Sequence, residues 1–209
     1  MLRSPNMHPF ITWLFPERES YCLVRTLSQD TTLAAQCHHA TVRIPGSYYL
    51  LSYHQPLVRA LIHECKFHRN RRAMTHLQTC LYTFLSHHEK AYDLFVPVPL
   101  SSARKRVRGH NQVTSVVLPV LEKLKRDDCF SDCLRRVINT TPQAGLSRQD
   151  RLHNLDAAFT LAPEAKSQLP GRRVLLVDDV ATTGTTLEQC VATLKSADPA
   201  AITTLTFAH

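Results

Sequence analysis

The chain has 209 residues, 44% of them hydrophobic and 20% charged, which is the composition of a globular protein with one sizeable core. Its seven cysteines form no regular framework, and the apolar run at residues 10–15 is too short for a secretory signal or a membrane span, so we expect a reduced, cytoplasmic protein. The formal net charge is +8, from 25 Lys and Arg against 17 Asp and Glu, and it favours an anionic partner.

The excess positive charge is concentrated in two short segments. Residues 59–72 contain five Lys or Arg and a single Glu, and residues 104–108 contain four Lys or Arg. Clusters of this size suit a polyanion, either a pyrophosphate-bearing ligand or nucleic acid. For the first segment, a solvated basic face is an equally simple interpretation.

The first half of the chain predicts one strand and two helices. Residues 1–45 have no clear period, and the isolated Cys22 and Cys37 are weak evidence for a zinc site. Residues 48–53 are typical of a strand, and Pro56 then begins a helix with apolar residues on one face. Apolar residues at helical spacing over 77–85 predict the second helix.

The second half alternates strands and helices. Residues 94–100 predict a short buried strand that ends at its prolines, and residues 101–112 predict a polar loop with four cations. A helix follows over 113–124, with a kink or a late start at Pro119.

The remaining segments complete an α/β pattern. Residues 140–154 predict a mobile loop that leads to a short helix, and residues 156–161 and 202–207 predict strands. Alternating strands and helices indicate a mostly parallel sheet flanked by helices, with its ligand beyond the carboxyl ends of the strands.

The most informative stretch is residues 174–186. Four apolar residues run into the adjacent carboxylates Asp178 and Asp179, a loop of Thr and Gly follows, and helical spacing resumes at Leu187. Free backbone N–H groups at the helix start make an anion cradle with the Thr hydroxyls, and Gly184 lets the backbone approach the anion closely. The stretch therefore predicts a site for a diol next to a phosphomonoester.

This stretch resembles the motif with which type I phosphoribosyltransferases bind 5-phosphoribosyl-1-pyrophosphate (PRPP). The resemblance implies that Asp178 and Asp179 are catalytic acids, which contact the ribose hydroxyls and the hydration shell of Mg²⁺. It assigns the 5′-phosphate to the loop residues Ala181, Thr182, Thr183, Gly184, Thr185 and Thr186. The alternative is an ordinary strand with an acidic end, in which the two carboxylates would repel each other without compensation from a ligand or metal.

Three further segments resemble the ComF family of phosphoribosyltransferase-like proteins. Residues 97–112 are similar to its pyrophosphate-side signature, residues 141–159 to its loop before the last PRPP strand, and residues 53–67 to its first helix. The resemblance implies a type I phosphoribosyltransferase-like fold, which is an α/β, Rossmann-like fold with a mostly parallel sheet. It assigns the pyrophosphate side of PRPP to Arg104, Lys105, Arg106 and Arg108.

The same resemblance divides the chain into two parts, a small irregular N-terminal segment over residues 1–45 and a phosphoribosyltransferase-like domain over residues 46–209. The ComF family usually begins with a four-cysteine zinc module, whereas residues 1–45 contain only two cysteines. We therefore expect a degenerate module without zinc, and Mg²⁺ bound together with PRPP rather than by an assigned set of protein ligands. His110 stands where the family usually has Phe.

Three functional classes stay open at this point. The first is a PRPP-dependent glycosyltransferase of the phosphoribosyl type, linked to natural transformation or nucleotide metabolism, and release of pyrophosphate would favour it. The second is a regulator that binds PRPP or a nucleotide without turnover. The third is a competence factor that binds single-stranded DNA through the basic helix at residues 56–72 or contacts competence proteins, and a steep salt dependence of single-strand affinity would favour it. Several purine transferases carry an Asp three positions after the second acid, but Thr182 occupies that position, so the sequence assigns no general base and no acceptor.

Overall fold

A computed structural model describes residues 18–27, 38–40, 46–88, 90–137 and 158–209. The strands are β1 (His38–Ala40), β2 (Ser47–Leu51), β3 (Leu94–Pro97), β4 (Leu134–Arg136), β5 (Phe159–Leu161), β6 (Arg173–Val180) and β7 (Ala201–Ala208). The helices are α1 (Glu19–Thr26), α2 (Pro56–His68), α3 (Arg71–His87), α4 (Ser102–Arg108), α5 (Gln112–Lys123), a 3₁₀ turn (Asp127–Cys129), α6 (Ala165–Gln168) and α7 (Thr185–Lys195).

The main sheet has the strand order β1-β2-β7-β6-β3 within the described residues. Its pairs are parallel except for the antiparallel pair of β1 and β2. Strands β4 and β5 form a separate antiparallel pair. The mostly parallel α/β sheet that the sequence predicts is therefore confirmed, and its inner strand β6 carries the acidic motif.

Strand β6 is buried on both faces, which explains its unbroken apolar run. Leu175 and Val177 join the hydrophobic cluster formed with α2, α3 and α5, whereas Val174 and Leu176 join the cluster formed with α7. None of these four side chains is more than 1% exposed. The apolar run ends at Val177, so the acidic side chains that follow it on β6 lie at the carboxyl edge of the sheet.

Helices α2 and α3 confirm the two predicted helices of the first half. Pro56 lies in the first turn of α2, and Arg69 ends that helix in the left-handed conformation, with φ of 47°. Asn70 then caps α3, because its side chain accepts hydrogen bonds from the N–H groups of Arg72 at 3.0 Å and Ala73 at 3.3 Å. The tight turn between the helices fixes the end of α2 next to the sheet edge.

The polar segment after β3 is helical over α4, which corrects the predicted loop. Ser101 caps this helix by accepting a hydrogen bond from the Arg104 N–H at 3.3 Å, and Gly109 ends it with φ of 71°. Ala, Arg and Lys have high helix propensities, so the cationic run favours a helix once the cap is in place. Helix α5 then begins at Gln112 and continues through Pro119 rather than starting late.

An additional helix, α1, lies within the segment for which the sequence predicts no element. It packs against α2 through Glu64, which accepts hydrogen bonds from Arg18 at 3.3 and 3.4 Å, Ser20 at 2.8 Å and Asn70 at 3.0 Å. Burial opposes ionisation of Glu64, but the bonds from Asn70, Arg18 and Ser20 prevail and lower its pKa. The division at residue 45 stays a prediction.

No helix among the described residues is long and apolar enough to cross a membrane. The predicted loop at residues 140–154, the predicted strand start at 156 and 157, and Cys37 all lie outside the described residues.

Candidate functional site

The two motif acids lie side by side at the carboxyl end of β6. Asp179 is 9% exposed, and its backbone N–H donates to Asp178 Oδ1 at 2.8 Å. The neighbouring strand β3 ends in register with β6 just before this point, since Pro97 pairs with Val177. The ends of both strands therefore open onto the same edge, as the parallel arrangement predicts.

Two side chains from different helices neutralise and orient Asp179. The Lys66 Nζ of α2 lies 2.9 Å from Asp179 Oδ1, and the two side chains are 18% and 12% exposed. On α5, the Gln112 amide donates to Asp179 Oδ2. Both oxygens of this carboxylate thus have a donor from the surrounding protein.

The environment of Asp178 disfavours the ionised form of its carboxyl group. Burial and the adjacent charge of Asp179 raise its pKa, the Asp179 N–H, Lys66 and Arg104 oppose the rise, and the net result is a pKa of about 7. A carboxyl group with this balance gains from any cation that approaches it. The acid pair is therefore suited to a positively charged or hydroxyl-rich ligand.

The loop after the acids leads directly into a helix N-terminus. Ala181 is buried, Gly184 adopts the left-handed conformation with φ of 79°, and α7 begins at the next residue. Thr183 and Thr185 are exposed, and their hydroxyl oxygens lie 3.1 Å apart. The N-cap residue Gly184 has no side chain with which to cap α7, so within the described part of the chain the first backbone N–H groups of the helix lie beside these hydroxyls without a cap from that position. The role of this loop as an anion cradle stays a prediction.

The predicted cations of α4 divide into two groups. Arg104 interacts electrostatically with Asp178, and Arg108 donates to Gln112 Oε1 at 3.2 Å, so both are linked to the acid pair. Lys105 and Arg106 are exposed, and within the described ranges neither forms an ion pair or hydrogen bond with the two acids.

Lys66 and Gln112 are the two site residues that sequence reasoning missed as ligands of the acids. Lys66 belongs to the basic segment over residues 59–72, and Gln112 ends the segment that resembles the ComF signature. These patterns marked the residues as polar but gave no reason to place them on Asp179. Only the packing of α2 and α5 against β6 brings them there.

A separate group of possible metal ligands lies on α2. One donor atom each of His63, Glu64 and His68 lie within 4.8 Å of one another. However, the Glu64 oxygens already accept four hydrogen bonds from Arg18, Ser20 and Asn70, which use the capacity of a carboxylate. The geometry is explained by the docking of α1 and assigns no metal.

Comparison with known proteins gives one family match and several relatives. Residues 89–209 match the model of the phosphoribosyl transferase domain. The chain is 40% identical over 104 residues to Competence protein F of Haemophilus influenzae, an alignment that covers 50% of this chain and 44% of that protein. It is 32% identical over 154 residues to the DNA utilization protein YhgH of Escherichia coli, with coverage of 70% and 65%. The chain therefore spans less than two thirds of either relative.

A solved structure also aligns with part of this chain. Its description is "structure of the allosteric regulatory enzyme of purine biosynthesis", the sequence identity is 14% and the TM-score is 0.45. The match covers 70% of this chain and 30% of that one.

Proposed function

Since the chain belongs to the phosphoribosyl transferase domain family, we propose that it binds PRPP with Mg²⁺ and transfers the phosphoribosyl group to a nitrogenous acceptor. The predicted resemblance to the ComF family is confirmed by the similarity to Competence protein F. The observation that carries the proposal is the direct continuity of the acid pair with the uncapped N-terminus of α7. Asp178 and Asp179 lie in the last three residues of β6, and α7 begins at Thr185, directly after Gly184. A diol and a phosphate on one sugar need this pair of subsites side by side.

The loop and helix start would bind the 5′-phosphate. Backbone N–H groups at the beginning of a helix carry partial positive charge, and they favour a phosphate dianion without any cationic side chain. The exposed Thr183 and Thr185 hydroxyls add donors that can rotate toward the phosphate oxygens. The left-handed backbone at Gly184 keeps this turn tight, which a residue with a Cβ would strain.

The acid pair would bind the ribose hydroxyls and the shell of Mg²⁺. Carboxylate oxygens are the ligands that this hard cation prefers, and Asp178 in particular gains from a nearby positive charge. The residues present therefore fit the ion. When bound, Mg²⁺ would neutralise the pyrophosphate oxygens and so improve pyrophosphate as a leaving group.

The surrounding cations would stabilise the departing pyrophosphate. In the transfer, a nitrogen lone pair of the acceptor forms the new bond to ribose C1, the C1–O bond breaks, and its electron pair leaves with pyrophosphate. Arg104 and Lys66 both act electrostatically on Asp178, so they border the place where this negative charge develops. Arg108 is held nearby through Gln112. Thr182, at the position of the Asp found in several purine transferases, is no general base, so the acceptor nitrogen must be nucleophilic without one.

Calorimetric titration of PRPP with Mg²⁺ tests the binding step. We expect saturable binding by the natural protein and none by the Asp178→Asn/Asp179→Asn variant, because both subsites for the diol lose their charge. The matched control is Asp127→Asn/Asp128→Asn, which removes another adjacent acid pair from an exposed 3₁₀ turn. Binding that survives in the first variant, or that is lost equally in the control, would refute the assignment.

Detection of released pyrophosphate then separates the transferase from the regulator. When the protein is incubated with PRPP, Mg²⁺ and each of a panel of nitrogenous acceptors in turn, at least one acceptor should lead to release of pyrophosphate from PRPP. Tight PRPP binding without release for every acceptor would favour the regulator.

The binding of single-stranded DNA is a second candidate function, since the names of the relatives refer to competence and to DNA utilization. The exposed cations Arg104, Lys105 and Arg106 on α4 would contact the phosphate backbone. We expect the affinity for an oligothymidylate to fall steeply with salt, and replacement of the three cations by Ala to flatten that dependence. An affinity that is weak and independent of salt would exclude this candidate.

A further inference from the structure

His209 lies at the carboxyl edge of the sheet, directly after β7 ends at Ala208. Strands β6 and β7 are paired in parallel, and the last pair of their register joins Val180 to Ala208. The residues that follow this pair are Ala181, the first residue of the loop assigned to the 5′-phosphate, and His209. The motif over residues 174–186 gives no sign of this histidine, because Ala181 and His209 are 28 positions apart along the chain.

The end of β7 holds both backbone groups of Ala181. The Ala181 N–H donates to the Ala208 carbonyl oxygen at 3.3 Å, which extends the strand pairing by one bond. The Ala181 carbonyl oxygen lies 2.8 Å from Nδ1 of the His209 ring. Because a carbonyl oxygen can only accept, Nδ1 must carry the hydrogen and donate it. The imidazole therefore makes the shorter of the two bonds that fix the buried Ala181.

The neighbouring strand β2 and the turn after it hold His209 from the other side. The His209 backbone N–H donates to the Leu51 carbonyl oxygen at 3.1 Å, and the His209 carbonyl oxygen accepts from the Tyr53 N–H at 2.8 Å. The His209 ring lies 5.5 Å from the Tyr49 ring, at an interplanar angle of 58°. Since both backbone groups of His209 bond toward β2, its side chain is the part that reaches the loop.

The peptide between Ala181 and Thr182 transmits this contact into the loop. A trans peptide is planar, with its C=O and N–H on opposite sides. The bond to His209 turns the Ala181 oxygen toward β7, so the Thr182 N–H points away from β7. Rotation of this peptide would exchange the two groups. It would then present a carbonyl oxygen, which repels an anion, where an N–H now points.

We propose that His209 is a positioning residue for the 5′-phosphate loop, and that its Nδ1–H holds the Ala181–Thr182 peptide in the orientation that suits an anion. This inference rests on the proposed PRPP function and adds a residue outside the loop motif that controls the affinity for the phosphate. His209 acts through Ala181 rather than by contact with the ligand. Its replacement should therefore change binding of the sugar phosphate and not binding of pyrophosphate.

The test compares two probes on the same protein, ribose 5-phosphate and pyrophosphate, each titrated by calorimetry with Mg²⁺. Ribose 5-phosphate carries the group assigned to the loop, whereas pyrophosphate is assigned to the cations of α4. The His209→Leu variant loses the donor and keeps an apolar side chain. Its Kd for ribose 5-phosphate should rise roughly fivefold, on the scale of one net hydrogen bond, while its Kd for pyrophosphate stays that of the natural protein.

Rescue by Asn distinguishes positioning of the loop from packing of the ring. The amide nitrogen of Asn is as many bonds from Cα as Nδ1 is in His, so His209→Asn restores the donor although it removes the ring. Its Kd for ribose 5-phosphate should lie within about twofold of the natural value. The matched control is His88→Leu, since His88 Nδ1 also lies 2.8 Å from a backbone carbonyl oxygen, that of Phe84, but at the end of α3. This control should bind both probes as the natural protein does.

Failure of the inference differs from failure of the proposed function. If the natural protein binds ribose 5-phosphate and His209→Leu binds it equally tightly, His209 does not position the loop although the PRPP site stands. The inference is also refuted if His209→Leu weakens both probes to the same extent, if His209→Asn binds no better than His209→Leu, or if His88→Leu loses as much affinity. If the natural protein binds neither PRPP nor ribose 5-phosphate, the proposed function fails, and the role of His209 fails with it.

Discussion

Replacement of Lys66 is the most direct test of the charge balance around the two acids. Its Nζ lies 2.9 Å from Asp179 Oδ1, and the two side chains are only 18% and 12% exposed. Asp179 in turn stands beside Asp178, whose pKa is already raised to about 7 by burial and by this neighbour. Replacement of Lys66 by Met keeps an unbranched apolar stem and removes the charge. We therefore expect Lys66→Met to destabilise the protein.

The separation of the charges sets the scale of the effect. Coulomb's law gives about 1.4 kcal/mol for two unit charges at this distance in a water-like dielectric, and about 6 kcal/mol at an effective dielectric constant of about 20. Desolvation of both ions offsets much of that attraction. Their partial exposure to solvent screens the remainder. We expect a net loss of about 1–2 kcal/mol in the free energy of unfolding.

Urea denaturation at neutral pH measures this loss. A double-mutant cycle of Lys66→Met with Asp179→Asn should give a coupling free energy of about 1 kcal/mol, which salt reduces. The matched control is Lys195→Met, because Lys195 is an exposed lysine on α7 and its loss should cost no more than about 0.5 kcal/mol. Equal losses for the two lysine variants, or a coupling near zero, would refute the reasoning.

Two further predictions concern the pH dependence of the free energy of unfolding that Asp178 and Asp93 produce. Between the ordinary pKa of 3.8 and the native value of about 7, the folded protein holds a proton on Asp178 that the unfolded chain has lost, so native stability falls as the pH rises through this interval. The Asp178→Asn variant should lack this fall, and above neutral pH its free energy of unfolding should exceed that of the natural protein by about 1–2 kcal/mol. Urea denaturation without metal measures the difference, and equal stability of the two proteins would contradict the raised pKa of Asp178. In contrast, Arg173 holds the pKa of Asp93 well below its usual range through bonds of 2.7 and 2.9 Å, so Asp93 stabilises the protein above pH 3.8 and loses this effect as the pH falls further. Asp93→Asn should lose about 1 kcal/mol at neutral pH, since both side chains are partly exposed, and the difference from the natural protein should narrow in acid denaturation below pH 3.8.

Local sequence patterns predicted the acidic strand end and the helix that follows it. The apolar run over 174–177 needs burial on both sides, and this requirement alone places Asp178 at the edge of a parallel sheet. Gly184 before a segment of helical spacing likewise predicts a tight turn into a helix. Both features depend on neighbours along the chain, so one sequence is enough to find them.

The contacts of Asp179 depend instead on residues that are distant along the chain. Gln112 lies 67 positions away and Lys66 lies on another helix, so no local period connects either of them with the acid. The error at α4 has a different cause. Its four cations resemble a phosphate-binding loop, but the Ser101 cap and the high helix propensity of the run stabilise a helix there.

The same long-range contacts explain how an acid pair persists in a folded protein before any ligand binds. Asp178 and Asp179 repel each other, and Lys66, Gln112 and Arg104 supply the compensation from within the chain. Lys66 and Gln112 each engage one oxygen of Asp179, and because a carboxylate accepts about four hydrogen bonds, ribose hydroxyls can bind there beside these two donors. Under the proposed function, the lysine that stabilises the acid pair before a ligand binds thus also lies close enough to the departing pyrophosphate to stabilise its negative charge.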